Sequence, residues 1–145
     1  SQTLQIATEE LCQQNEELTE TRNLLEIERQ RYKDLFDFAP DGYLVTGLDG
    51  KIQEANRACS QLFGISQQNL TGKLIVNFVT LDDRHKLRCQ IAKLSKMEKV
   101  SEIIICCQKR DGGFFNAALT ATSVCNHQGK VTGLRWLIRD ITEQQ

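Results

Sequence analysis

The stretch DGYLVTGLDGKIQEANRACSQLFG, which begins at Asp41, constrains the fold of this 145-residue chain more than any other. It contains two short runs with β-strand character, Tyr43–Leu48 and Lys51–Ala55, on either side of Asp49-Gly50. Asp-Gly between apolar runs is a strong hairpin signal, because both central residues of a type I′ turn have positive φ. The stretch therefore predicts a β-hairpin with a two-residue turn.

A helical pattern follows the predicted hairpin immediately. Asn56 suits the N-cap, because its side chain accepts hydrogen bonds from the free backbone N–H groups of a first helical turn. Apolar residues recur at helical spacing after it, and Gly64 is placed to end the helix in the left-handed conformation. A hairpin that leads directly into a short helix is the nucleus of an α+β domain.

The segment before this domain predicts one long helix. Residues Thr3–Phe36 contain neither Gly nor Pro, and helix-forming residues dominate them. Leucines at heptad spacing, followed by Tyr32, fall at d positions of a coiled coil, whereas polar residues such as Asn15 and Arg22 occupy a positions. The period of seven favours a parallel dimer over a solvated helix that packs on its own domain. The predicted dimerisation residues are Leu4, Leu11, Asn15, Leu18 and Leu25.

Pro40, the one proline of the sequence, marks a domain boundary. Proline cannot continue a helix, and it also disfavours helical backbone at the residue before it. The sequence therefore predicts two parts: a coiled-coil or signalling helix over residues 1–36 and a folded domain over residues 37–145.

Charge and cysteine content argue against several classes of function. The formal net charge is −1 at pH 7, without the basic footprint of nucleic-acid or anionic-membrane binding. No apolar run approaches the length of a transmembrane helix, and no secretory signal opens the sequence. The six cysteines form no Cys-x-x-Cys pair. They therefore predict free thiols in a cytoplasmic protein rather than disulfides or a metal site.

Three helical pieces are predicted after the first helix of the domain. Ser66–Leu70 predicts a single turn with a serine N-cap, and Leu74–Val79 predicts a short buried helix. A longer helix is predicted from Thr80, as its N-cap, to about Lys96, with Asp82-Asp83 at its positive end. Its buried face is predicted from the spacing of Leu87, Ile91 and Leu94.

The rest of the domain has strand character. Val100–Gln108 is apolar on both faces and predicts a strand that is covered on both sides. Phe115–Val124 alternates, Val131–Ile138 forms the last strand, and turns are predicted at Asp111-Gly112-Gly113 and His127–Lys130. The order β-β-α-α-α-β-β-β, with hairpin links, predicts an antiparallel sheet with the helices gathered on one face.

Several short motifs, in this order, resemble the PAS domain family. They are Leu35–Gly42, the Asp49-Gly50 hairpin, Ala55–Ala58, Leu62–Gly64, Leu81–Arg84, Lys109–Gly112 and Arg139–Thr142. The resemblance extends over about residues 32–145. Within the family, the chain is similar to the PAS domains of bacterial, cyanobacterial-type sensor histidine kinases. The resemblance implies the α+β PAS fold, in which a five-stranded antiparallel sheet carries helices on one face, here preceded by the long N-terminal helix.

The resemblance also implies a function. PAS modules of this kind are sensory and dimerisation units, not enzymes, and they relay conformational change to an effector such as a histidine kinase or a diguanylate cyclase. No motif of such an effector occurs in this sequence, so the effector is expected to lie C-terminal to it. The resemblance implies that Asp140 and Thr142 form the output junction, at which a PAS domain connects to a following signalling helix.

A ligand-binding receptor is the alternative function, and a structural spacer is a third. PAS pockets form between sheet and helices, although an ordinary hydrophobic core is the simpler interpretation of the same residues. The cysteine motif of flavin photoreceptors and the axial histidine of haem-binding members are missing, and His85 and His127 are predicted as solvated residues. No cofactor and no metal are therefore expected, which leaves a small organic ligand. Its candidate pocket comprises Leu44, Ile75, Phe78, Leu87, Ile91, Phe115, Leu119 and Trp136.

Overall fold

The N-terminal part of the chain is one long helix. The computed structural model describes residues 2–96 and 102–142, and the chain divides into two compact units, Ser1–Phe36 and Asp37–Gln145. Helix α1 (Gln2–Phe38) supplies the first unit and buries none of its side chains. It ends two residues before Pro40, as the restriction on residues that precede proline predicts.

The second unit confirms the predicted order of strands and helices. A pair of 3₁₀ turns, Ile75–Phe78 and Leu81–Asp83, connects the short helices to the long one. The strands and helices are β1 (Gly42–Gly47), β2 (Ile52–Ala55), α2 (Arg57–Phe63), α3 (Gln67–Leu70), α4 (Arg84–Ser95), β3 (Glu102–Gln108), β4 (Phe114–Cys125) and β5 (Val131–Asp140).

The five strands form one antiparallel sheet in the order β2-β1-β5-β4-β3. The first and last strands of the chain are therefore central neighbours, and Gly42 at the start of β1 pairs with Ile138 near the end of β5. The helices cover one face of this sheet, as predicted. The chain consequently enters and leaves the sheet at the same end of two adjacent strands.

The hairpin between β1 and β2 differs from the predicted one in its turn. The N–H of Gly50 donates to the carbonyl of Gly47 at 3.1 Å, so Leu48 and Asp49 form the centre of the turn. Gly50 follows with a φ of 82°, in the left-handed region that glycine adopts without strain. The predicted two-residue type I′ turn is therefore wrong, and a three-residue loop takes its place. The loops at 109–113 and 126–130 have the same hydrogen-bond pattern.

The core lies between the inner face of the sheet and the helices. Alternate residues of β4 point inward, as predicted, and Phe115, Ala117, Leu119 and Ala121 are all buried. Phe63 of α2 packs against Phe78 and Phe115, with ring centroids 5.0 Å and 5.7 Å apart. Such tilted aromatic pairs add to the stabilisation that burial of their apolar surface provides.

The outer face of the sheet is open to solvent at β3. Ile104 is 53% exposed although its neighbours Ile105 and Cys107 are buried. The predicted cover on both faces of this strand is therefore wrong, because the helices of the domain lie on the inner face. Val100, the predicted first residue of the strand, lies outside the described residues.

Connecting segments form hydrogen bonds with both edge strands of the sheet. At β2, Ile52 donates to the carbonyl of Lys73 and accepts from the N–H of Gly72, both at 2.8 Å. At β3, the N–H of Thr80 donates to the carbonyl of Cys106 at 3.1 Å. These bonds satisfy backbone groups that an edge strand would otherwise present to another chain.

Asp83 takes part in these edge contacts instead of capping a helix. It precedes α4, but its side chain makes no capping hydrogen bond. One carboxylate oxygen accepts from the N–H of Cys106 on β3 at 2.7 Å, and Lys86 donates to the carbonyl of Ile104 at 2.8 Å. The predicted role of Asp83 as helix-start charge is incomplete, because the carboxylate also fixes α4 to the edge strand.

A buried hydrogen bond joins the two central strands inside the core. Nε1 of Trp136 on β5 donates to Oγ1 of Thr46 on β1 at 2.9 Å. Both side chains are at most 1% exposed, so neither group has water as an alternative partner. A buried donor without a partner costs about 1–3 kcal/mol.

Replacement of Thr46 by valine tests this bond. Valine keeps the shape of threonine but cannot accept a hydrogen bond, so Thr46→Val is expected to lower the free energy of unfolding by about 1–3 kcal/mol. Urea denaturation monitored by circular dichroism measures the loss. The same substitution in a Trp136→Phe background removes no bond and is expected to cost less; an equal loss in both backgrounds would contradict the assigned role.

Candidate functional site

The eight candidate pocket residues all belong to the hydrophobic core. Seven are buried, and Ile91 packs half-buried against the same cluster. They come from β1, β4 and β5 on the sheet side and from α4 and the turn Ile75–Phe78 on the helix side. The structure thus brings together all eight predicted residues. Their positions are compatible with the walls of a ligand pocket and equally with an ordinary hydrophobic core.

Polar side chains also reach into this core. Thr46 is fully buried and accepts the hydrogen bond from Trp136. Gln90 of α4 is only 4% exposed, because it shares the inward face of the helix with Leu87 and Leu94. Gln90 was not among the predicted residues, although its spacing of three from Leu87 places it on the predicted buried face. These amide and hydroxyl groups are the kind that orient a ligand inside an apolar pocket.

The N-terminal junction, which comprises Asp37, Asp41, Tyr43, Asn56 and Gln67, is held by a buried amide. Oδ1 of Asn56 accepts from the N–H groups of Tyr43 at 2.9 Å and Cys59 at 3.1 Å. Its Nδ2 donates to the carbonyl of Asp41 at 3.0 Å. The predicted N-cap is therefore confirmed, and the same side chain also fixes the start of β1.

Gln67 links the last turn of α1 to this junction. Its Nε2 donates to Oδ1 of Asp37 and to the carbonyl of Ala55, both at 3.0 Å. One amide thus connects the end of α1, the end of β2 and the start of α3. This role of Gln67 was not predicted, because the sequence of α3 carries no local sign of a partner thirty residues away.

The C-terminal junction, which comprises Asn116, Asp140, Ile141 and Thr142, anchors the exit of the chain to β4. Oδ1 of Asp140 accepts from the N–H of Thr142 at 2.9 Å, and Oγ1 of Thr142 accepts from the N–H of Asn116 at 3.1 Å. The N–H of Ile141 donates to the carbonyl of Asn116 at 2.9 Å. The two predicted junction residues therefore lie together, and Asn116 is the partner that sequence analysis missed.

The predicted dimerisation residues lie along α1 and are all exposed. The exposed fractions of Leu4, Leu11, Leu18 and Leu25 are 69%, 61%, 52% and 63%, and Asn15 is exposed as well. These leucines form a row of exposed apolar side chains along one side of the helix, one every seven residues, with the polar a positions between them.

Two buried cysteines have strongly perturbed thiols. Burial raises the pKa of Cys59 to about 12, although a hydrogen bond with the backbone of Asn56 opposes the shift. Burial also raises the pKa of Cys107 to about 12, and the nearby Cys106, Asp83 and Asp140 add to the effect. These thiols are inert at neutral pH, because the thiolate is the reactive form.

Metal binding and membrane insertion can be assessed for the described residues. Within 2–96 and 102–142, no group of three or more His, Cys, Asp or Glu side chains is arranged to hold a metal ion. Over the same ranges, no helix combines the length and the apolar character required to cross a membrane. All six cysteines are free.

Comparisons with known proteins agree on one family. A family model described as the PAS fold matches residues 30–141. The sensor protein kinase WalK of Staphylococcus aureus (strain Newman) is 22% identical over 120 residues, which make up 83% of this chain and 18% of that protein. The chain thus spans less than a fifth of the length of this relative.

Solved structures share the fold. The PAS domain of a protein from Colwellia psychrerythraea superposes with a TM-score of 0.74 at 22% identity, covering 81% of this chain and 98% of that one. The structure of VqmA bound to DPO has a TM-score of 0.65 at 18% identity, covering 77% of this chain and 57% of that one.

Alkaline unfolding tests the state of the two buried thiols. Their pKa is 9.0 in ordinary surroundings and about 12 in the folded protein, so the stability they contribute is complete below pH 9 and is lost as the pH rises toward 12. Each thiol is expected to lower the free energy of unfolding by about 1.4 kcal/mol per pH unit in this window. Urea denaturation at pH 8 to 11 measures the slope.

Alanine variants provide the comparison for this slope. The double variant Cys59→Ala, Cys107→Ala is expected to lose stability less steeply with pH than the natural chain. Cys12→Ala, at an exposed position, serves as the matched control and should keep the natural slope. Equal slopes in all three proteins would show that the buried thiols do not titrate as assigned.

Proposed function

This chain belongs to the PAS family, and from that premise we propose that it is a cytoplasmic sensory and dimerisation module of a longer signalling protein. In this proposal the module relays conformational change from α1 through the folded domain to an effector that follows Thr142. The relative WalK is named a sensor protein kinase, which supports a kinase as the effector; a diguanylate cyclase is the other class that the sequence resemblance implies. The catalytic step belongs to that effector.

The exposed leucine stripe of α1 carries the dimerisation part of the proposal. Burial of one leucine side chain contributes about 1.5–3 kcal/mol, and heptad spacing lets a second copy of the helix bury all of them in one seam. Asn15, Arg22 and Arg29 fall at a positions of this seam and lower its stability. A weak seam with polar layers needs little free energy to change its packing, as a two-state relay element requires.

The two junctions supply a route through the domain. A change at the end of α1 acts on Asp37, whose hydrogen bond to Gln67 leads to Ala55 and the buried Asn56. Asn56 fixes the start of β1, and β1 pairs along its whole length with β5. Strand β5 ends at Asp140, the first residue of the output junction. This contiguous path between the two ends of the domain supports a relay role.

A ligand-binding receptor is the second candidate. VqmA, which shares the fold, was solved bound to DPO, and the polar side chains of Thr46 and Gln90 lie in the core of this chain. In this version, a small organic molecule binds between the sheet and the helices and changes how the core packs. The two junctions then transmit this conformational change. Both versions use the same output path and differ in whether the core is occupied.

Native mass spectrometry combined with an absorbance scan distinguishes the two candidates. A receptor purified with its ligand is expected to show a mass above that of the polypeptide, which denaturation removes. A relay module without a ligand is expected to show the mass of the polypeptide alone and no absorbance beyond that of its tryptophan and tyrosines. Addition of the released compound to stripped protein should restore the mass shift, and failure to do so would count against the receptor.

The substitution Leu18→Lys tests dimerisation through α1. It places a charge in the middle of the leucine seam, and we expect the dissociation constant of the dimer to rise at least about tenfold, since a buried unpaired charge costs well over 1.4 kcal/mol. Sedimentation equilibrium measures the change. Gln13→Lys puts the same charge on the opposite face of the helix and should leave the dimer intact. An unchanged mass for Leu18→Lys would refute the proposed seam.

A further inference from the structure

Charged residues flank the leucine seam of α1 in just one half of the helix. With the leucines at d, the neighbouring e and g positions face a second helix across the seam. The charged residues at these positions are Glu26 and Lys33 at e and Glu28 at g. The flanking positions nearer the N-terminus are all uncharged: Gln5, Ala7, Cys12, Gln14, Thr19 and Thr21. Electrostatic selection of a partner helix therefore acts in the half of α1 that leads into the folded domain.

Glu28 and Lys33 are complementary when a second copy of α1 lies parallel and in register. Each g position of one helix then faces the following e position of the other helix. Glu28 of one copy faces Lys33 of the second copy, and the symmetry of the dimer creates the same pair again on the other side of the seam. Glu26 faces the uncharged Thr21, so no like charges face each other at these flanking positions.

An antiparallel pair of helices loses the match at Glu28 and also disturbs Asn15. In that orientation g positions face g positions, and none of the g residues of α1 is basic. The a positions face d positions, so the amide of Asn15 packs against leucine or tyrosine instead of against a second amide. A buried amide without a hydrogen-bond partner is costly, and asparagine at an a position specifies register. Charge and polarity thus favour the same parallel arrangement.

The seam and its flanks are accessible to a second helix. Helix α1 buries none of its side chains, and Glu28 contacts Arg31, which lies at c, outside the seam. Their Oε1 and Nη1 atoms are 3.3 Å apart and both side chains are 66% exposed, and ion pairs this exposed contribute little. Tyr32 and Phe36, at d and a, stack with ring centroids 5.8 Å apart. The methylene groups of a lysine such as Lys33 can cover apolar surface of this kind.

We propose that Glu28 and Lys33 select, as the partner of α1, a second copy of this chain in parallel and in-register orientation. This inference rests on the dimerisation through α1 proposed above, and it names the residues that decide which helix is accepted and how it is aligned. Both copies then lead into their folded domains from the same end of the seam. Helices that lack the complementary charges at these positions are accepted less well.

Charge reversal on each side of the pair tests the proposal. Glu28→Lys and Lys33→Glu each turn two attractive contacts of the dimer into two repulsive ones, so each is expected to raise the dissociation constant about fivefold. The double variant Glu28→Lys, Lys33→Glu restores opposite charges across the seam and should dimerise within about twofold of the natural chain. Sedimentation equilibrium of the full chain at low ionic strength measures these constants, since salt screens exposed charges.

Arg31→Gln is the matched control for these variants. It removes the contact of Glu28 within its own helix but changes no charge at an e or g position, so the dissociation constant should stay within about twofold of the natural value. Circular dichroism checks that every variant keeps its helix content. A double variant as weak as the single ones would overturn the proposal, as would an Arg31→Gln variant as weak as Lys33→Glu.

A disulfide at the seam checks the alignment of the two helices. Leu11→Cys, in a Cys12→Ala background, places a thiol at a d position, and in a parallel, in-register dimer the two copies of this thiol face each other. Mild oxidation is expected to link them, which peptide mass spectrometry detects, whereas Gln13→Cys on the opposite face should form no such link. A dimer that persists without a link at position 11 would overturn the proposed alignment. A natural chain that stays monomeric would refute the seam itself.

Discussion

The buried amide of Asn56 is the interaction on which the architecture of this domain depends. The chain turns from strand to helix at this residue, and a fully buried backbone there would leave polar groups without water. Asn56 satisfies two N–H groups and one carbonyl from three different segments. An unsatisfied buried group costs about 1–3 kcal/mol, so this one side chain determines whether β1, α2 and the segment before β1 fit together.

Sequence reasoning succeeded where the physical cause is local. The caps at Asn56 and Ser66 and the helix end at Gly64 depend on bonds within a few residues, and the structure contains all three. It failed where partners are distant: Asp83 bonds to a strand 23 residues away, and Thr142 bonds to Asn116 across 26 residues. Strand β3 is apolar on both faces, and its sequence could not reveal that the helices cover just one of them, which is why the exposure of Ile104 was not predicted.

The candidate sites show the same division. The core residues were predicted from periodicity, and Asp140 and Thr142 were predicted from the family motif. Both signals depend on residues that lie close together in the sequence. Gln67 carries no such signal, since its partners come from α1 and β2.

The hydrogen bonds at the edges of the sheet have a consequence for proteins that carry several such domains in tandem. Sheets of the same fold at high local concentration tend to join through free edge strands. Here Lys73 occupies the margin of β2, and Thr80 and Asp83 occupy that of β3. A neighbouring copy that pairs at these positions would first have to displace bonds that the chain makes with itself. Such bonds therefore favour pairing of each sheet within its own sequence.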